Sequence, residues 1–249
     1  MKPKGGSSVK GLLHTWRQEG RSCACWVPEG PGPFPLLVLC GWHLEDKLPL
    51  FARELPSVLL FFGEAQGDRD FTPWPAAGVR EGEQFSGGGE GYLRFLTEGI
   101  LPRLEGEFHA SSQPEHRGIL GYSLGGLFAL WAQGQGEWFS LAGSLSGSLW
   151  YPHWLAYMEQ HPPRPGEKVY LSLGDREEFG GPPLLRTVGD CTRRAYAFYR
   201  QQGVDTVLEW NKGGHGKGVE GRWKKALAWA APRVASAPPP QGAGPRTKE

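Results

Sequence analysis

Residues 116–132 read H-R-G-I-L, then G-Y-S-L-G-G, then L-F-A-L-W-A. The centre of this stretch is G-x-S-x-G over 121–125, the pattern of a nucleophile elbow. Its spacing has a steric reason. A serine held at a strained strand-to-helix turn needs close neighbours without bulky side chains, and Gly121 and Gly125 supply them. The flanks separate the pattern from a glycine-rich turn that carries a surface serine. An apolar run leads into Gly121, and an almost wholly apolar helical stretch over 124–132 follows. Ser123 is therefore the expected nucleophile.

On either side of this turn, apolar runs alternate with helical patterns. Runs at 35–40 (P-L-L-V-L-C), 57–62 (S-V-L-L-F-F), 116–120, 139–145, 168–173 (K-V-Y-L-S-L) and 206–210 read as strands. Most lack polar alternation, as strands buried on both faces of a parallel sheet do. Residues 22–28 alternate and read as an edge strand. Helical spacing marks 92–104, with a bend expected at Pro102, and 187–202, where Val188, Cys191, Ala195 and Phe198 share a face. It also marks 219–231, through Val219, Trp223, Leu227 and Ala230. The expected class is α/β, an open and mostly parallel sheet with helices on both faces. One domain is expected over 1–234, followed by a disordered Pro/Gly-rich tail over 235–249. The glycine-rich segment 81–91 reads as a mobile loop; it lacks the Lys-Ser/Thr partner of a phosphate-binding loop.

Composition narrows the function classes. A net charge of +1 gives no reason to expect nucleic acid or an acidic membrane as a partner. Residues 1–10 are polar and show no leader, and no apolar run is long enough for a membrane span. The four cysteines (Cys23, Cys25, Cys40 and Cys191) are too few for a disulfide framework in a chain of 249 residues, and read as free thiols of a cytoplasmic protein. No cysteine or histidine spacing suits zinc, and neither metal nor cofactor is expected. The eleven tryptophans fill the core for the most part. Trp42, Trp74 and Trp150 lie on segments that should reach the C-terminal edge of the sheet and wall an apolar pocket.

A serine hydroxyl needs a base, and the base needs an orienting carboxylate. After this elbow the partners follow in the chain order acid, then histidine. His153 and His161 precede the 168–173 strand and come too early. His215, in N-K-G-G-H-G at 211–216, sits on a glycine loop between the last strand and the last helix. The acid belongs just past 168–173, where Asp175, Glu177 and Glu178 compete. Reach favours Glu177, with Asp175 as the alternative; Glu178 should face away. The oxyanion should be met by the backbone N–H of Leu124 and by one from the loop after 35–40, where Trp42 is the expected donor. His43 reads as a loop residue near the pocket mouth.

The chain resembles the esterase D-like and enterochelin-esterase-like serine hydrolases. The resemblance rests on G-Y-S-L-G-G-L-F-A-L at 121–130, S-G-S-L-W at 146–150, L-S-L-G-D-R-E-E at 171–178, E-W-N-K-G-G-H at 209–215 and F-T-P-W-P at 71–75. It implies an α/β-hydrolase fold and a Ser–acid–His site that cleaves a small-molecule ester, with Ser123 and His215 as matched positions. It points to Glu177 among the three acids. The oxyanion loop departs from the His-Gly-Gly-Gly form, since Cys40 precedes Gly41. An acyltransferase on the same machinery and a catalytically silent binding protein are the rival readings.

Overall fold

The computed structural model describes residues 10–235. The segment 1–9 and the expected tail over 236–249 lie outside the described residues, and Ala235 closes the last helix. The strands are β1 (Gly11–Gln18), β2 (Arg21–Pro28), β3 (Leu36–Cys40), β4 (Leu59–Gly63), β5 (Pro75–Ala77), β6 (Gln84–Ser86), β7 (Arg117–Tyr122), β8 (Leu141–Leu145), β9 (Lys168–Gly174) and β10 (Asp205–Asn211). The α-helices are α1 (Leu48–Ala52), α2 (Gly67–Asp70), α3 (Gly89–Arg94), α4 (Leu101–Phe108), α5 (Leu124–Gly134), α6 (Trp154–Gln160), α7 (Pro183–Arg186), α8 (Val188–Gln201) and α9 (Val219–Ala235).

Eight strands form one sheet in the order β1-β2-β4-β3-β7-β8-β9-β10. From β4 to β10 every pairing is parallel, whereas β2 runs antiparallel to both β1 and β4. Side chains alternate between two cores, as a pleated strand requires. Val38, Phe61, Ile119 and Leu171 face one core with α5 and α8. Leu39, Leu60, Leu120 and Tyr170 face the other with α1 and α9. The sheet is covered on both faces, and for that reason its central strands carry no polar alternation.

Three details depart from the sequence reading. The 22–28 strand is not at the edge. β1 covers it, and the signal of β1 is weak because its residues are exposed or only half-buried. The 81–91 segment is not simply a loop, since β6 pairs with β5 as a small hairpin and Gly89 begins α3. The 92–104 stretch is no single helix bent at Pro102. A π-helical turn, Phe95–Ile100, joins α3 to α4. Pro102 has no N–H for the ladder, and the wider turn just before it takes up the change of register.

The turn from β7 into α5 is very tight. Ser123 has φ +60° and ψ −122°, outside the regions an L-residue favours. A Cβ on Gly121 would stand 1.9 Å from the Gly125 carbonyl oxygen, and one on Gly125 would stand 2.3 Å from that of Cys40. Gly125→Ala should therefore destabilise the protein by at least about 3 kcal/mol. Gly106, inside α4, faces open space. Gly106→Ala should gain about 0.5–1 kcal/mol, because only the helix-propensity term remains. Urea unfolding of the two variants beside wild type checks both signs.

Candidate active site

The parallel strands end together at one edge of the sheet, and the chain delivers its polar groups there. β7 ends in Tyr122 and hands Ser123 to the start of α5. The Ser123 N–H donates to Leu145 O at 3.0 Å, and its carbonyl accepts from the Ser148 N–H at 3.0 Å. The strained serine is thus pinned by the end of β8 and the segment that follows it. β9 ends in Gly174, and Glu177 follows in a short 3-10 turn. The loop between β10 and α9 carries His215.

These three side chains form one hydrogen-bonded line. His215 Nε2 lies 3.1 Å from Ser123 Oγ, and His215 Nδ1 lies 2.8 Å from Glu177 Oε2. The histidine is half-exposed while the Glu177 side chain is almost wholly buried. Glu177 Oε1 accepts from the Gly174 N–H at 2.7 Å and from Ser146 Oγ at 2.9 Å. Burial pushes the Glu177 carboxyl up. The bond from His215 and its charge, with those from Gly174 and Ser146, outweigh burial and hold it below its ordinary value.

The other two acids are placed differently. Asp175 accepts from the Gly213 N–H at 2.8 Å, so it ties down the histidine loop from outside. Glu178 turns away and pairs with Arg193 at 2.5 Å. His43 (φ +50°) stands at a second, smaller cleft on the far side of Trp42, with Phe51 and Trp223.

Ser123 and His215 open onto a cleft of about 750 Å³. Leu124 and Trp42 both lie on its wall. The Leu124 N–H is the first of α5 and has no acceptor within the helix. Trp42, Phe85 and Trp150 give the cleft its aromatic surface. Trp74, expected beside them, stands behind this wall. Its indole N–H donates to Pro152 O at 3.0 Å and its ring packs on Tyr151 and Tyr157. Phe85 of β6, not Trp74, reaches the cleft.

The sequence reading assigned no role to Ser146, Ser148 or Arg222. Ser148 Oγ lies 3.5 Å from Ser123 Oγ. Arg222 is 1 % exposed and lies beneath Glu177. A signal for it existed. Val219, Arg222, Trp223 and Ala226 follow helical spacing, so an arginine stands on the apolar face of α9. Among the described residues no group of three or more His, Cys, Asp or Glu is placed to hold a metal, and no helix is long and apolar enough to cross a membrane.

Known proteins resemble this one in sequence or in architecture. The chain is 30% identical over 215 residues to the uncharacterized protein YbbA of Bacillus subtilis (strain 168), covering 78% of this chain and 84% of that protein. An IroE-like serine hydrolase from Shewanella oneidensis superposes with a TM-score of 0.71 at 17% identity, over 88% of this chain and 79% of that one. The siderophore hydrolase EstA from Aspergillus nidulans gives 0.67 at 17% identity, over 95% of this chain and 98% of that one. At such identities these likenesses speak for the fold, which is that of the α/β-hydrolases. Residues 52–234 match the Putative esterase family, and the chain belongs to that family of carboxylic ester hydrolases.

Proposed function

We propose that the protein is a serine esterase that works through an acyl-enzyme, with Ser123 as nucleophile, His215 as base and Glu177 as the orienting acid. The observation that carries this reading is the line from Ser123 Oγ to His215 Nε2 (3.1 Å) and from His215 Nδ1 to Glu177 Oε2 (2.8 Å) at the wall of the cleft. Ser123 Oγ attacks the ester carbonyl as its proton passes to Nε2. Glu177 holds the ring with Nδ1–H toward itself and stabilises the imidazolium without taking the proton. The carbonyl oxygen gains charge between the N–H groups of Leu124 and Trp42. The ester C–O bond breaks, and the leaving alkoxide takes the proton from His215. Water then attacks the acyl-enzyme by the same route in reverse, releasing the acid and restoring Ser123.

The substrate is a small-molecule ester. Aromatic faces of Trp42, Phe85 and Trp150 favour an aryl or bulky acyl group over acetyl. A neighbour of the same fold is described as a siderophore hydrolase, so a siderophore ester belongs among the compounds assayed. All four cysteines are free, in keeping with the cytoplasm as the proposed location.

Ser123→Ala should abolish ester hydrolysis and fluorophosphonate labelling while the melting curve persists, with kcat down by roughly 10⁴–10⁶. Normal turnover in that variant would sink the reading. Across an ester panel, aryl acyl esters should exceed acetyl esters in kcat/KM. The reverse order would remove the aromatic wall from the argument.

Glu177→Gln should lower kcat by roughly 10²–10⁴ with little change in KM. It should also cost about 3–5 kcal/mol of stability near neutral pH, because Arg222 is left buried without its counter-charge. The pH dependence has a fixed sign. The folded Glu177 carboxyl lies below its ordinary value, so its stabilisation is present above the unfolded value and is lost as pH falls through the folded one. Urea melts at pH 7, 5 and 3 should show wild type and Glu177→Gln converging toward acid.

A further inference from the structure

We propose that Arg222 is a positioning residue of the hydrolytic site, a single buried guanidinium that locks the acid, the histidine loop and the elbow strand into one unit. This rests on the reading of Ser123, Glu177 and His215 given above. Arg222 Nη1 donates to Glu177 Oε1 at 2.6 Å, and Tyr122 Oη and Ser146 Oγ lie around the same nitrogen. Nη2 donates to the Gly214 carbonyl, next to His215, at 2.8 Å. Tyr122, the residue before Ser123, donates its hydroxyl to the His215 carbonyl. One side chain on α9 thus touches the end of β7, the turn after β8, the acid after β9 and the histidine loop.

The geometry divides the work between the two carboxylate oxygens. Oε1 is occupied by Arg222, Ser146 and the Gly174 N–H, which leaves Oε2 alone to face His215. Gly174 makes this crowding feasible. A Cβ there would stand 2.2 Å from Gly213 O, 2.6 Å from Arg222 Nη2 and 2.7 Å from Glu177 Oε1. The planar fork of arginine reaches Glu177 and Gly214 from two nitrogens at once, and a lysine ammonium has only one. With side chains 1 % and 4 % exposed, the ion pair is shielded from water and salt.

Charge matters as well as reach. His215 faces Glu177 on one side and the Tyr122 ring on another. Asp175 and Arg176 after β9, and Lys212 and Lys217 in its own loop, are exposed and screened by solvent. Arg222 is the buried cation of this set, and it offsets the carboxylate. Removing it should let Glu177 favour the imidazolium more strongly.

The test pairs Arg222→Met, which removes charge and fork, with Arg222→Lys, which keeps the charge. Each is read by steady-state kinetics, circular dichroism and an NMR titration of ¹⁵N-histidine. Both variants should lose roughly 10–100-fold in kcat, the range for removing a partner that orients a ligating or catalytic group. KM should stay within about twofold. His215 should titrate at higher pH in Arg222→Met than in wild type, and near wild type in Arg222→Lys. Wild-type kcat in Arg222→Lys would overturn the proposal, as the fork would be dispensable. So would a loss in Arg222→Met that merely tracks the unfolded fraction with an unmoved titration. If Arg222→Met does not fold, the kcat of Arg222→Lys decides. The titration needs no turnover and can be repeated in Ser123→Ala, so it judges Arg222 even if Ser123 proves not to be the nucleophile.

Discussion

The site depends first on a steric constraint, the close passage of α5 over the ends of β3 and β7. A Cβ at Gly125 would lie 2.3 Å from Cys40 O, so the helix can begin there only because that Cβ is absent. This approach drives Ser123 to φ +60° and lifts its hydroxyl clear of the sheet. The strain is borne by neighbours that are themselves fixed. The backbone of Ser123 is bonded to Leu145 and Ser148, and α5 is buried along nearly its whole length. A residue in an unfavourable backbone region persists when its surroundings leave it no alternative.

The second organising element is a buried ion pair, Glu177 with Arg222. Neither charge has solvent to fall back on, so each must be met by protein groups. Glu177 is met by Ser146, the Gly174 N–H, His215 and Arg222, and the histidine loop is held at Gly213 by Asp175 and at Gly214 by Arg222. A loop rich in glycine acquires a defined course in this way. His215 itself remains half-exposed, open to the cleft.

Much of this was legible in the sequence because it follows from local rules. The strands of the parallel region were readable as unbroken apolar runs, and G-Y-S-L-G-G announced a tight turn between a strand and a helix. Chain order and loop composition singled out His215 and the 175–178 segment. What remained hidden depends on tertiary placement. β1 is half-exposed and carries little pattern, so the edge of the sheet was misplaced. Trp74 comes just before β5 and Phe85 lies on β6, and only their tertiary placement decides which one meets the cleft. Asp175 and Glu177 are two residues apart, and their different partners belong to a loop nearly forty residues later. Arg222 was visible as a charge on an apolar face, but its partners lie on four separate segments.

The position of Arg222 on α9 also bears on when the candidate site is completed during synthesis. Ser123, Glu177 and His215 all precede Val219, yet the cation that fills the space under Glu177 lies within the helix that follows. That same helix supplies Trp223, Ala226, Leu227 and Ala230 to one of the two cores. A nascent chain that has emerged only as far as the histidine loop would have one face of the sheet covered by α1 alone and Glu177 without its counter-charge. Since parallel pairings already join distant segments late, docking of α9 would couple closure of that core to completion of the site.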